Sequence, residues 1–149
     1  MGKGSSSTPD ASREKMRAVR KVKQLTVWVE SAHGGLARIG KALAEAKVNI
    51  VAFSAHGAGP DGTVRLVLNN TDRARKALEK LGVRITEEEV LRVTMPDKPG
   101  RLAKMGARLA AVKINIEYAY TSLPRDPRHA DLVLGVSDVT GAAKALRDF

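Results

Sequence analysis

The chain of 149 residues is 43% apolar, which is enough to build a packed core, and it carries a formal net charge of +10. It contains no cysteine, which excludes a disulfide scaffold, a thiolate zinc site and a cysteine nucleophile. No segment approaches the roughly 18 consecutive apolar residues of a transmembrane helix, and the first residues lack the apolar run of a secretory signal. The composition therefore predicts a cytoplasmic protein without a membrane-spanning segment.

Residues 1–22 are predicted to form a basic, flexible tail. Seven basic residues within positions 1–23 oppose only Asp10 and Glu14, so half of the excess charge lies there. A solvated, mobile arm is the expected state of such a segment. The alternative is an arm that contacts the phosphates of nucleic acid or another acidic surface.

The segment that follows alternates in the way a strand with one buried face does, with Leu25, Val27 and Val29 on the apolar side. A glycine-containing turn over residues 31–35 leads into a helix with apolar residues at helical spacing. The next elements are predicted to be strands over residues 48–54 and 64–68, a helix capped by Thr71-Asp72 and ended by Gly82, and a short strand at residues 83–86.

The whole pattern returns 66 residues further along the chain. Residues 36–40 correspond to residues 102–106, and residues 47–50 correspond to residues 113–116. A repeat of this kind indicates a duplicated unit. The predicted fold class is therefore α+β, with two tandem ferredoxin-like βαββαβ units over residues 23–87 and 88–149, each an antiparallel sheet with helices on one face.

The second unit is expected to have a short or missing last strand. The repeat would place that strand at Phe149 and beyond, so the strand over residues 90–95 should have an unpaired edge. Unpaired edges invite pairing with another segment. Three covers are predicted as alternatives: residues 19–23, a second copy of the chain, or the strand at residues 83–86.

Several short motifs do not support an enzyme. Residues 57–62 spell G-x-G-x-x-G, but a predicted strand follows where dinucleotide binding needs a helix, so the motif is interpreted as a hairpin loop. His33, His56 and His129 lack the helical spacing of a zinc site, and the acidic residues 87–89 are interpreted as a solvated linker. No catalytic site, metal or cofactor is predicted.

The turn after the first strand of the second unit has the features of a ligand loop. Its glycine lets backbone approach a ligand closely, and the following helix N-terminus attracts a carboxylate. Asn49 and Asn115 each stand where the first helix of a unit gives way to its second strand. Two interpretations stay open for these asparagines: a left-handed helix C-cap or a ligand contact.

Residues 97–102 (Asp-Lys-Pro-Gly-Arg-Leu) and 113–118 (Lys-Ile-Asn-Ile-Glu-Tyr) resemble the ACT domain, and the chain from about Lys23 onwards is similar to small proteins of two tandem ACT domains. The resemblance implies a homodimer formed through sheet edges and an amino acid or similar effector bound at the interface. It assigns ligand contacts in the second unit to Asp97, Lys98, Pro99, Gly100, Arg101, Leu102, Asn115 and Ile116. In the first unit it assigns them to Ala32, His33, Gly34, Gly35, Leu36 and Asn49.

The first unit departs from the family pattern because His33 replaces the proline. Lys47 and Lys113 also stand where the family favours glycine.

The function predicted from these residues is a non-catalytic regulatory module that binds an amino acid. Backbone N–H groups of residues 100–102 would hold the carboxylate, and Asn115 or Asp97 would hold the ammonium. The alternatives are a basic nucleic-acid-binding protein and a ligand-free dimerisation scaffold. The first is disfavoured because base stacking needs exposed aromatic residues on the central strands, where Trp28 stands alone. The second would use Trp28, Tyr118 and Tyr120 as interface residues.

Overall fold

The computed structural model describes residues 18–30, 34–58, 61–122 and 126–149. In chain order the elements are β1 (Val19–Glu30), α1 (Gly35–Glu45), β2 (Ile50–Ala58), β3 (Asp61–Leu68), α2 (Thr71–Glu79), β4 (Arg84–Pro96), α3 (Arg101–Ala111), β5 (Ile116–Thr121), β6 (His129–Val136) and α4 (Val139–Ala145). This order confirms the predicted α+β class with a duplicated βαββαβ pattern. Within the described ranges, no helix is long and apolar enough to span a membrane.

The chain divides into two compact units, and two of its strands contribute to both. The first unit comprises residues 23–89. The second unit comprises residues 90–149 together with residues up to Val22. Residues 19–22 of β1 therefore belong to the second unit, and residues 23–30 belong to the first. In β4, residues 84–89 belong to the first unit and residues 90–96 to the second.

In the first unit the strand order is β2-β3-β1-β4. The antiparallel pairing places Leu25 opposite Leu66, and Leu66 opposite Phe53. One face of the sheet and the two helices enclose the core, whose buried members are Leu25, Val27, Ile39, Leu43, Val48, Val64, Leu66, Leu68, Ala74 and Leu78. Gly57 pairs with Gly62 on the antiparallel neighbours β2 and β3, and a strand, not a helix, contains the last glycine of the G-x-G-x-x-G motif, as predicted.

The second unit repeats this arrangement in the order β1-β4-β6-β5. Leu91 pairs with Leu134, and Ile116 pairs with Val136. Its buried core consists of Leu91, Val93, Met95, Met105, Leu109, Ile114, Leu132, Leu134, Val136, Ala142 and Leu146. Residues 19–22 of β1 lie beside β4 at the edge of this unit.

Residues 19–22 act as the fourth strand of the second unit. The N–H of Thr94 donates to the carbonyl of Ala18 at 2.7 Å, Val19 packs against the core, and Lys21 Nζ donates to Thr140 Oγ1 at 2.9 Å. Of the three alternatives predicted to pair with the edge of the strand over residues 90–95, the structure shows the segment at residues 19–22. These residues are strand rather than the end of a flexible tail, which corrects the assignment of residues 1–22; residues 1–17 lie outside the described ranges.

The acidic run at residues 87–89 is part of β4 and not a linker, which corrects a second prediction. Glu88 Oε1 accepts hydrogen bonds from Thr26 Oγ1 at 2.6 Å and from Gln24 Nε2 at 3.1 Å. Gln24 is fully buried and Thr26 nearly so. Because buried polar groups need partners, this half-buried carboxylate stabilises the β1–β4 pairing of the first unit.

The helix ends also differ in detail from the prediction. Asn70 caps α2 by accepting from the N–H of Arg73 at 3.1 Å, one residue before the predicted Thr71-Asp72 cap. After α1 and α3, the left-handed residues are Lys47 (φ 57°) and Lys113 (φ 58°). Of the two interpretations left open for Asn49 and Asn115, the left-handed cap is therefore excluded, because neither asparagine has a positive φ. The left-handed position lies two residues earlier, where the family pattern favours glycine because glycine has no Cβ to clash there.

Candidate functional site

The turn between β4 and α3 is held by backbone hydrogen bonds. The N–H of Asp97 donates to the carbonyl of Arg128 at 2.9 Å, and the N–H of Lys98 donates to the carbonyl of Pro96 at 3.0 Å. Gly100 follows with φ 88°, in the left-handed region, and accepts from the N–H of Lys104. The glycine is thus required by conformation, and the turn delivers the chain into the first residue of α3.

The N-terminus of α3 is open to an anion. No side chain caps it, and its first turn contains no acidic residue. Leu102 is 62% exposed, and Asp97, Lys98, Pro99 and Gly100 are exposed as well. The partial positive charge at a helix N-terminus favours a carboxylate at such a place. One of the three predicted donors is engaged, because the N–H of Arg101 donates to the carbonyl of Lys98 at 3.3 Å.

The side chain of Arg101 does not extend freely from the turn. Its Nη2 donates to the backbone oxygen of Phe149 at 2.6 Å, and its guanidinium carbon lies 4.1 Å from the centroid of the Phe149 ring. Arg108 lies near the same ring, at 5.5 Å. Arg101 is therefore tied to the last residues of the chain by a cation–π contact and a hydrogen bond.

Asn115 and Ile116 lie at the other end of α3. Asn115 is exposed; its N–H donates to Ser137 Oγ at 3.2 Å, and its carbonyl accepts from the N–H of Ser137 at 3.1 Å. Ile116 begins β5 and packs against the core. An α-helix of 11 residues is about 16 Å long. One small amino acid therefore cannot contact both Gly100 and Asn115 of the same unit.

The first unit reproduces the described part of this geometry. Gly34 has φ 91° and no side chain caps α1, Gly35 is partly buried, and Leu36 is 47% exposed. Asn49 is exposed, and its N–H donates to Asn69 Oδ1 at 2.9 Å. Two assigned ligand residues, Ala32 and His33, lie outside the described residues.

A polar cluster that the sequence analysis missed lies on β4, on β6 and at the residue that follows β5 in the second unit. Asp131 Oδ2 accepts from Arg92 Nε at 2.9 Å, from Arg92 Nη2 at 2.6 Å and from Ser122 Oγ at 2.7 Å. Asp131 Oδ1 accepts from Thr94 Oγ1 at 3.1 Å. Burial raises the pKa of the Asp131 carboxyl, but the hydrogen bonds and the charge of Arg92 outweigh it, so this pKa lies below its ordinary value.

The Asp131 cluster is a satisfied structural network. Its members are brought together by strand pairing and not by proximity in sequence, so no local motif indicates it. Elsewhere among the described residues, no three His, Asp or Glu side chains converge in the manner of a metal site.

The chain belongs to the ACT domain pair family, whose model matches residues 20–140. Among solved structures, a protein from Bacteroides thetaiotaomicron is similar with a TM-score of 0.80 and 26% identity, over 87% of this chain and 89% of that one. The regulatory subunit of aspartate kinase from Thermus thermophilus, in its ligand-free form, has a TM-score of 0.66 and 19% identity, over 88% and 96% of the two chains. Its counterpart from Thermus flavus has a TM-score of 0.58 and 20% identity, over 87% and 94%. No curated protein matches the sequence significantly.

Proposed function

We propose that this protein is a non-catalytic regulatory module that binds an amino acid or similar small effector at the turn before α3. The observation that carries the proposal is the left-handed Gly100 at the uncapped start of α3, in a chain of the ACT domain pair family. The Thermus proteins that share the fold are regulatory subunits, which supports a regulatory role without naming a ligand. The absence of cysteine supports action in the cytoplasm.

The ligand's carboxylate would bind at the N-terminus of α3, and Asp97 on the same turn would accept from its ammonium. Asn115 of the same unit lies beyond the opposite end of α3, a helix about 16 Å long. Any contact from this asparagine would therefore come from a second copy of the chain. Asn115 immediately precedes β5, the outer strand of its sheet, where a second copy can approach. A homodimer through sheet edges would fit this requirement.

The experiment is calorimetric titration with each of the twenty amino acids, using Gly100→Ala and Gly34→Ala as matched variants. Both glycines have positive φ and nothing within 4 Å of an added Cβ, so both substitutions strain the backbone without a clash. Each should lower stability by about 1–2 kcal/mol. We expect Gly100→Ala to abolish binding of the effector, because Gly100 lies in the proposed ligand turn. Gly34→Ala, in the first unit, should leave binding unchanged.

Two results would contradict the proposed function. The first is the absence of any heat of binding for all twenty amino acids at millimolar concentration. The second is binding that Gly34→Ala abolishes and Gly100→Ala leaves unchanged. Thermal unfolding of both variants, measured alongside, separates lost binding from lost folding.

A further inference from the structure

The side chain of Arg101 has an uncompensated hydrogen-bond donor next to the candidate ligand turn. Its Nη2 is bonded to Phe149, but its Nε is buried and has no hydrogen-bond partner among the described residues. A buried donor without an acceptor destabilises the state that contains it. The contact with Phe149 therefore leaves Arg101 partly unsatisfied, and an acceptor that reached the guanidinium would offset this cost.

The first unit lacks this side chain. The residue that corresponds to Arg101 in the repeat is Gly35, and the turn of the first unit therefore offers no guanidinium. The glycines that end the two turns, Gly34 and Gly100, share a positive φ, whereas the residue after the glycine is uncharged in the first unit and a guanidinium in the second. The helix that follows Arg101 also contains no acidic residue that could bind the guanidinium instead.

We infer that Arg101 selects the effector, and that the effector is an amino acid with a second anionic group, such as aspartate or glutamate. This inference rests on the proposed function. The backbone turn would hold the α-carboxylate, and the guanidinium would leave the backbone oxygen of Phe149 to donate Nε and Nη2 to the side-chain carboxylate. A planar guanidinium matches a carboxylate with two parallel hydrogen bonds, which a neutral amide cannot accept equally.

Phe149 has a defined place in this scheme. Its ring and backbone oxygen hold Arg101 in the ligand-free protein and compete with the ligand for the guanidinium. Loss of the ring should therefore favour the acidic ligand and leave neutral amino acids unaffected. Arg108, which faces the same ring from seven residues further along α3, is outside the turn and provides a matched control.

The test is calorimetric titration of the full chain with aspartate and glutamate, and with their uncharged counterparts asparagine and glutamine. We expect the wild type to bind an acid at least about tenfold more tightly than its amide, as a charged hydrogen-bonded pair implies. Arg101→Gln should reduce this preference to about twofold or less. Arg108→Gln should retain it, and Phe149→Ala should strengthen binding of the acid alone by severalfold.

A second readout follows the guanidinium directly. The Nε–H resonance of Arg101 is identified by its loss in Arg101→Gln, and we expect it to shift on addition of the acid, as the group leaves the aromatic ring. An amide that binds as tightly as its acid would overturn the inference, as would a preference that survives Arg101→Gln or an acid that binds without shifting the resonance. Tight binding of succinate or inorganic phosphate would show an anion site that does not recognise amino acids, and would also overturn the inference. Silence of every amino acid would instead contradict the proposed function.

Discussion

Two lysines in this protein adopt a backbone conformation that suits glycine. Lys47 and Lys113 have φ values of 57° and 58° directly after α1 and α3. Both side chains are exposed, so neither conformation is stabilised by burial of the lysine. A residue with a Cβ pays roughly 1–2 kcal/mol in the left-handed region, whereas glycine adopts it freely.

Lys113→Gly should therefore stabilise the protein. The relief of the left-handed strain exceeds the entropy that glycine loses on folding, so the expected gain is about 0.5–1 kcal/mol in the free energy of unfolding. Denaturant unfolding measures it. Lys104→Gly, within α3, is the control and should destabilise by about 1 kcal/mol. A loss of stability in Lys113→Gly would show that the strain is compensated elsewhere.

The ion pair between Arg92 and Asp131 should contribute to stability in a pH-dependent way. The two side chains are 15% and 13% exposed, so removing the carboxylate leaves a largely buried guanidinium without its partner. Asp131→Asn should cost about 2–3 kcal/mol at neutral pH.

The sign of the pH dependence follows from the direction of the shift. Because the pKa of Asp131 is lower in the folded state than in the unfolded state, the stabilisation is fully present above the unfolded value of about 3.9 and declines as the pH falls through the folded value. The difference in unfolding free energy between the wild type and Asp131→Asn should therefore shrink below about pH 4. A constant difference from pH 3 to pH 7 would contradict a charged interaction.

At the scale of the elements, β1 and β4 each contribute residues to both units. Residues 19–22 complete the second unit, although they are far from residues 90–149 in sequence. The duplication predicted both units and the open edge, because periodicity and repeat spacing are local properties of the chain. It could not decide what pairs with that edge, since residues 19–23, residues 83–86 and a second copy of the chain were all possible and only tertiary packing distinguishes them.

Deletion of residues 1–22 should therefore destabilise the second unit. The carbonyl of Ala18 and the packing of Val19 would be lost, and the edge of β4 would be exposed. Hydrogen exchange should show the amide of Thr94 losing its protection. Deletion of residues 1–17 is the matched control and should leave this amide protected. Equal protection of Thr94 in both truncations would contradict the role of the segment.

At the scale of the whole molecule, each unit presents an outer strand without a partner among the described residues. These strands are β2 in the first unit and β5 in the second. Sheet edges without charged side chains favour pairing with another chain, and β2 contains no charged residue. The proposed homodimer would use one of these edges.

A charged residue on the edge in use should dissociate the homodimer. Ala55→Lys tests β2, Ala119→Lys tests β5, and Ala44→Lys on α1 is the control; all three alanines are exposed. We expect sedimentation to show a dimer for the wild type and for Ala44→Lys, and a monomer for at least one edge variant. A dimer that survives both edge substitutions would contradict association through the sheets.

The amino-acid sequence by itself determined the two βαββαβ units, their core faces and the glycine turns, because period-2 and period-3.6 apolar patterns and a repeat of 66 residues are local information. It also identified Lys47 and Lys113 as departures from the family pattern, although not their left-handed backbone. Only the tertiary structure decided that residues 19–22 complete the second sheet, that Arg92 and Asp131 pair, and that Phe149 holds Arg101. These contacts join segments separated by tens of residues, and their energies depend on burial and distance, which no spacing along the chain encodes.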